Sequence, residues 1–253
     1  MTEAATRHTP GTPCWVSLMV HNPAATQEFY GALFDWTFTP GPQHLGPYVR
    51  AQLAGREVAG IGELPAGRQL PVAWTTYLAS DDTDATAEQI RACGGTVAVG
   101  PLDADSAGRL VIASDPFGAV FGVWQGYAHK GVRAPGGPGT QVWNELLEQD
   151  LSVTKFYEAV FGYDTEADGP DRRTLSVQGR PVAAVREACE GPSLKCGPRW
   201  MTYFEVDDVG ITARRVAELG GRVLEPAHDE RHGPVVTVAD PEGAVFSLLR
   251  SNR

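Results

Sequence analysis

The feature that most restricts this chain is an internal duplication. Residues 15–36 read WVSLMVHNPAATQEFYGALFDW, and residues 143–163 read WNELLEQDLSVTKFYEAVFGY. Trp15 answers Trp143, Phe29-Tyr30 answers Phe156-Tyr157, and Phe34 answers Phe161. Trp74-Thr-Thr-Tyr77 with Asp81-Asp82 answers Trp200-Met-Thr-Tyr203 with Asp207-Asp208. Gly94-Gly95 then matches Gly220-Gly221, and Asp115-Pro-Phe-Gly118 matches Asp240-Pro-Glu-Gly243. The offset drifts only from 128 to 125, always at loops. Blocks repeated in one order at a nearly fixed spacing mark a two-copy architecture. The copies span 12–125 and 140–250. A linker at 126–139 separates them, and its GVRAPGG run is too rich in Gly and Pro for a helix or central strand.

Composition removes whole classes of function. The chain has 253 residues, 42% of them hydrophobic and 21% charged, enough apolar content for sizeable cores. Its net charge is −10 with no basic run, so it repels a phosphate backbone and nucleic acid is not an expected partner. Neither a signal-peptide core at Met1–Pro13 nor an apolar run of membrane-spanning length is present. Cys14, Cys93, Cys189 and Cys196 form no CxxC pair, which argues against structural zinc and a disulfide framework and for a reducing cytoplasm.

Within each copy the element order is readable. Trp15–Val20 has strand content, and a helix follows with Asn22 as cap and Pro23 at its first turn. Ala25, Phe29, Leu33 and Phe34 form its expected buried stripe; in copy two Asp150 caps and Val153, Phe156, Tyr157 and Val160 are buried. Hairpins are expected over Tyr48–Leu53 with Glu57–Ile61 and over Arg173–Val177 with Pro181–Val185. Next come the strand Trp74–Ala79, a helix over Thr83–Cys93 stopped by Gly94-Gly95, and strands Leu110–Ala113 and Val120–Trp124. Met201–Val206, Val209–Leu219, Val235–Val238 and Val245–Leu249 are the copy-two equivalents.

Tandem copies with FY in the first helix, WxTY before Asp-Asp, a Gly-Gly stop and Asp-Pro-x-Gly before the last strand resemble the vicinal oxygen chelate superfamily, which comprises glyoxalases, bleomycin-resistance proteins and extradiol dioxygenases. The WxELL block, Trp143–Leu147, makes the chain similar to actinobacterial proteins labelled hydroxylase or glyoxalase-like. The resemblance implies an α+β fold of two tandem βαβββ modules whose sheets curve around clefts. It also implies where metal ligands would stand: early in the first strand, at the start of the strand before Asp-Asp, and in the last strand. Here those places hold Trp15 and Trp143, Thr75 and Met201, and Gly122 and Ser247. None is a usual metal ligand, so no metal and no cofactor are expected.

Alternation sorts the strand faces. Trp15 shares a face with Ser17, and Trp143 with Glu145. Tyr77 shares one with Thr75, and Tyr203 with Met201; Gly122 does so with Trp124, and Ser247 with Leu249. Trp15, Ser17, Tyr77, Gly122, Trp124, Trp143, Glu145, Met201, Tyr203 and Ser247 are thus the candidate ligand-binding set, suited to an aromatic or carbonyl-containing metabolite. The same rings could instead fill space between packed modules, and Gly122 either admits a guest or permits close packing. Glu145 either meets an Arg or Tyr or serves a ligand, since a lone buried carboxylate is costly.

Around this set, His228 and His232 fall in AHDERHG, read as a loop between Pro226 and Pro234, and His44 in a Pro/Gly-rich loop. Arg109 suits a surface ion pair or an anionic ligand group. The leading expectation is a small-molecule binding protein, monomer or homodimer, with no membrane partner. The alternatives are a glyoxalase-like lyase, isomerase or hydroxylase-type enzyme on a small carbonyl or aromatic substrate, using Glu145 or Tyr203 as acid–base group or a metal held by unusual residues, and a structural or protein-interaction scaffold.

Overall fold

The computed structural model describes residues 8–42, 46–67, 70–132, 136–187 and 197–250. His44, Cys189 and Cys196 lie outside them. Copy one comprises β1 (Pro13–Val20), α1 (Pro23–Phe34), β2 (Thr37–Pro40), β3 (Tyr48–Leu53), β4 (Arg56–Glu63), β5 (Ala73–Ala79), α2 (Thr83–Ala92), β6 (Thr96–Ala104), β7 (Gly108–Ser114) and β8 (Val120–Gly126). Copy two repeats the order with β9 (Gln141–Glu148), a 3₁₀ turn (Leu151–Val153), α3 (Thr154–Phe161), β10 (Asp164–Ala167), β11 (Arg172–Val177), β12 (Arg180–Glu187), β13 (Arg199–Glu205), α4 (Val209–Glu218), β14 (Arg222–Glu230), β15 (Gly233–Ala239) and β16 (Val245–Leu249). Each copy is therefore a tandem of βαβββ runs forming one eight-stranded sheet. The strand orders are β2-β3-β4-β1-β5-β8-β7-β6 and β10-β11-β12-β9-β13-β16-β15-β14.

Local chemistry explains the helix ends. The Asn22 side chain accepts from Ala25 N and Pro23 opens α1, while Asp82 accepts from Asp84 N and Ala85 N ahead of α2. Asp208 accepts from Ile211 N before α4, and Asp150 accepts from Ser152 N at the 3₁₀ turn. The Gly-Gly stops divide two tasks. Gly94 takes φ +87°, and a Cβ on Gly95 would lie 2.7 Å from Ser114 O, so the second glycine allows chain to meet chain.

Three parts of the sequence reading change. Ala25 is exposed on α1, and Tyr30 is buried instead. The strands β2, β6 and β10 join the sheets beyond the expected set. AHDERHG is no loop: His228, Asp229 and Glu230 pair with Val235, Pro234 and Gly233 as a β14–β15 hairpin. Pro226 is tolerated because β14 is an edge strand whose register shifts between Glu225 and His228.

The chain divides into two compact units. The first gathers the residues up to Trp15, Thr75–Gly131 and Asn144–Trp200; the second gathers Val16–Trp74, Val132–Trp143 and Met201–Arg253. Each unit thus takes half of each copy. In the first, Leu78, Ile90, Phe121 and Val123 of copy one pack with Leu146, Phe156, Leu175 and Trp200 of copy two. In the second, Leu18, Phe29, Phe34 and Trp74 pack with Phe204, Val216, Val236 and Phe246.

Three repeat blocks meet inside each core. In the second unit Trp74 Nε1–H donates to Tyr30 Oη at 3.1 Å, and Tyr30 O–H donates to Asp240 Oδ2 at 3.1 Å. In the first, Trp200 donates to Tyr157 at 2.9 Å and Tyr157 to Asp115 Oδ2 at 3.0 Å. The other oxygen of each Asp caps its own turn: Asp115 Oδ1 accepts from Phe117, Gly118 and Ala119 N, and Asp240 Oδ1 from Glu242 and Ala244 N. Burial pushes both tyrosine hydroxyls well above their usual range, reinforced by the neighbouring carboxylate. FY, WxTY and Asp-Pro-x-Gly are thus one buried hydrogen-bond chain, made twice.

Candidate ligand-binding site

The candidate residues lie on the sheet faces opposite these cores, where Phe204, Phe246 and Leu248 point one way and Met201, Tyr203 and Ser247 the other. In the first unit, the copy-one face is filled by its own rings. Tyr77 stands opposite Gly122, and a Cβ on Gly122 would lie 2.2 Å from the Tyr77 ring. Trp15 meets His129 edge-on at 4.4 Å between centroids, and Trp124 Nε1–H donates to His129 O at 2.9 Å. Close packing, and not room for a guest, accounts for Gly122.

The second unit repeats this device on β1, β3 and β4. Ser17 stands opposite Gly60, and Tyr48 opposite Gly62. A Cβ on Gly60 would fall 1.7 Å from Tyr48 Oη, so the Tyr48 ring occupies the sheet surface itself.

Copy two carries different chemistry at the matching register. In the first unit Glu145 stands opposite Ala184 and Arg172 opposite Arg186. Glu145 is fully buried; Arg172 Nη2 lies 3.1 Å from its Oε1 and Arg186 Nε 3.0 Å from its Oε2. Ser17, Tyr48 and Gly62 have become Glu145, Arg172 and Arg186. Two guanidiniums directly across a strand pair repel, and the carboxylate between them removes the repulsion. Both oxygens of Glu145 are therefore engaged by charge partners, which suits an ion-paired structural group better than a proton-transfer base.

In the second unit, Met201, Tyr203 and Ser247 are buried together with Thr237. Tyr203 stands opposite Ser247, Ser247 opposite Thr237, and Thr237 opposite Glu225. Ser247 has a Cβ where copy one has Gly122, so Tyr203 cannot lie across this position as Tyr77 does. The ring of Trp143 lies 4.8 Å from that of His232. Its buried indole N–H has no hydrogen-bond partner among the described residues.

The remaining candidates are accounted for by local contacts. Arg109 donates from Nε and Nη2 to Asp84 at 2.8 and 3.0 Å and meets Asp103 at 3.2 Å, a surface ion-pair cluster. Cys14 is buried, and burial raises its thiol far above the usual range, so it is an inert core residue. His228 Nε2 lies 3.1 Å from Glu230 Oε1 on the exposed side of β14. Among the described residues no helix is long and apolar enough to cross a membrane.

A glyoxalase-like domain family matches residues 149–249. "Putative glyoxylase CFP32" of Mycobacterium tuberculosis (strain CDC 1551 / Oshkosh) is 38% identical over 252 residues, covering 95% of both chains. The anthracycline biosynthesis protein DauV of Streptomyces sp. (strain C5) is 34% identical over 265 residues, 96% of this chain and 94% of that one. The chain belongs to the vicinal oxygen chelate superfamily. The crystal structure of the Mn(II)-bound glyoxalase from Novosphingobium aromaticivorans shares the fold at a TM-score of 0.66 and 17% identity, covering 96% of this chain and 82% of that one.

The metal of that superfamily does not fit the residues present here. Its ligand places hold Trp15, Thr75 and Gly122 in copy one, with the last covered by Tyr77, and Trp143, Met201 and Ser247 in copy two. Among the described residues no group of three or more His, Cys, Asp or Glu is arranged to hold an ion.

Sequence reading missed Arg172, Arg186, Thr237 and Glu225 as site residues. The first two were legible as a concerted change, because an alignment of the copies replaces Ser, Tyr and Gly by one acid and two bases. Thr237 lay in the expected strand Val235–Val238, but Glu225 was hidden because β14, its neighbour, was not expected as a strand.

Proposed function

We propose that this protein binds a small aromatic or carbonyl-containing metabolite without a metal, on the face of β13, β15 and β16 in the second unit. The observation that carries this reading is Trp143. A buried indole N–H left unmatched costs about 1–3 kcal/mol, and a ligand carbonyl would satisfy it. Met201 and Tyr203 supply apolar and aromatic surface, and Ser247 a polar contact, the composition of a small-molecule site. Copy one supports the assignment by contrast, since Tyr77 and Tyr48 lie on the glycines of its own faces.

Binding is favoured over acid–base catalysis because Glu145, the strongest candidate base, is held by two guanidiniums. The names of two relatives, a glyoxylase and an anthracycline biosynthesis protein, agree with a carbonyl-bearing or polycyclic aromatic ligand. The sparse cysteines support action in a reducing cytoplasm.

The test is calorimetric titration with 2-hydroxyanthraquinone, which carries both ring carbonyls and a hydroxyl. Saturable one-site binding is expected. Trp143→Phe keeps an aromatic ring but removes the N–H, and should weaken binding about three- to tenfold. Absence of saturable binding, or an unaltered affinity in Trp143→Phe, overturns the reading.

A further inference from the structure

The row Tyr203–Ser247–Thr237–Glu225 crosses four neighbouring strands of the second unit at one register. Its hydrogen bonds can run in only one direction. A carboxylate accepts and cannot donate, so Thr237 Oγ1 gives its single proton to Glu225 Oε2, 3.1 Å away. Thr237 then has only lone pairs for Ser247, whose Oγ lies 3.4 Å off at the long end of the hydrogen-bonding range. Ser247 must be the donor of that pair, and its own single proton is thereby used. What Ser247 can offer a third group is a lone pair.

Copy one has no such row. Tyr77 stands opposite Gly122, Gly122 opposite Ile112 and Ile112 opposite Val99, so the equivalent positions between ring and edge strand are apolar. The polar row is thus particular to copy two, and it runs from fully buried Ser247 to Glu225 on the edge strand β14.

We propose that Glu225, acting through Thr237, fixes Ser247 as a hydrogen-bond acceptor, so that this face selects ligands presenting a phenolic or alcoholic hydroxyl at that point. The inference rests on the binding site proposed above and adds its polarity: a carbonyl is met by the Trp143 N–H, whereas Ser247 takes an O–H. A ligand placing an ether or carbonyl oxygen against Ser247 would set lone pair against lone pair. Glu225 and Thr237 are positioning residues, because they act on the ligand through Ser247.

The experiment compares 2-hydroxyanthraquinone with 2-methoxyanthraquinone by calorimetry on the full chain. Wild type should bind the hydroxy compound about tenfold more tightly. Ser247→Ala should bring the ratio to about two or less. Thr237→Val, which keeps the shape but breaks the row, and Glu225→Ala, on the edge strand, should do the same. A preference that arises from the bulk of the methyl group would survive in Thr237→Val, and that result overturns the inference. Equal affinities in wild type overturn it as well, while leaving the binding site standing. Failure of wild type to bind either compound overturns both the inference and the site on which it depends.

Discussion

Asp240 is 2% exposed, yet it accepts Tyr30 O–H and two backbone N–H groups. Burial raises its carboxyl above the ordinary aspartate value, and the hydrogen bonds only partly offset this. The native state therefore holds the Asp240 proton more tightly than the unfolded chain does. Its contribution to stability is least favourable above the raised value and recovers as pH falls towards the usual value of about 3.9. Removing the titrating group in Asp240→Asn should abolish that recovery. The melting temperature of wild type minus that of the variant should grow as the pH is lowered from 7 to about 4. A difference that stays flat or shrinks contradicts the assignment. At this scale the sequence was half legible: Phe29-Tyr30, Trp74 and Asp-Pro-x-Gly stood out as repeats. Their meeting in one hydrogen-bond chain did not, because no local pattern links Tyr30 to a residue 210 positions away.

Elements decide what each copy presents on the sheet face away from its helices. Alternation placed Glu145 on the face away from the helices, and the structure shows the company it keeps there, Arg172 on β11 and Arg186 on β12. Glu145→Ala would leave two guanidiniums facing each other across a strand pair, Arg172 with only 12% of its side chain exposed. Loss of one partner from such a buried cluster costs about 3 kcal/mol. Urea unfolding should report that loss, and a change within 0.5 kcal/mol, typical of surface substitutions, would show the ion pairs to be incidental. The edge strand β14 illustrates the opposite limit of legibility. Two prolines bracket AHDERHG and signal a loop by every local rule, but an edge position and a register shift let the strand continue past Pro226. Thr237 and Glu225 became a row only because that strand exists.

At the level of the whole molecule, each compact unit is built from half of either copy. A fragment ending at Gly131 would expose Leu78, Ile90 and Phe121 without Leu146, Phe156 and Trp200, and Leu18 and Phe29 without Phe204 and Phe246. Residues 1–131 expressed alone should lack a cooperative thermal transition. Mixing or co-expression with 132–253 should restore one, as calorimetry and dispersed amide spectra would report. Independent cooperative folding of either fragment would show that the exchange of halves is not needed for stability.

The sequence by itself determined the duplication, the succession of strands and helices, the caps that bound them, and which side chains share a strand face. Those properties depend on residues a few positions apart, where periodicity, capping groups and turn residues act. Tertiary structure alone decided that the cores exchange halves, that Tyr77 covers Gly122 while Ser247 forbids the same pose to Tyr203, and that Glu145 is neutralised by two arginines. Each of these depends on contact between separate strands, and whether a small or charged residue meets a ring, a counter-ion or an unmatched N–H is set by packing that no local spacing encodes.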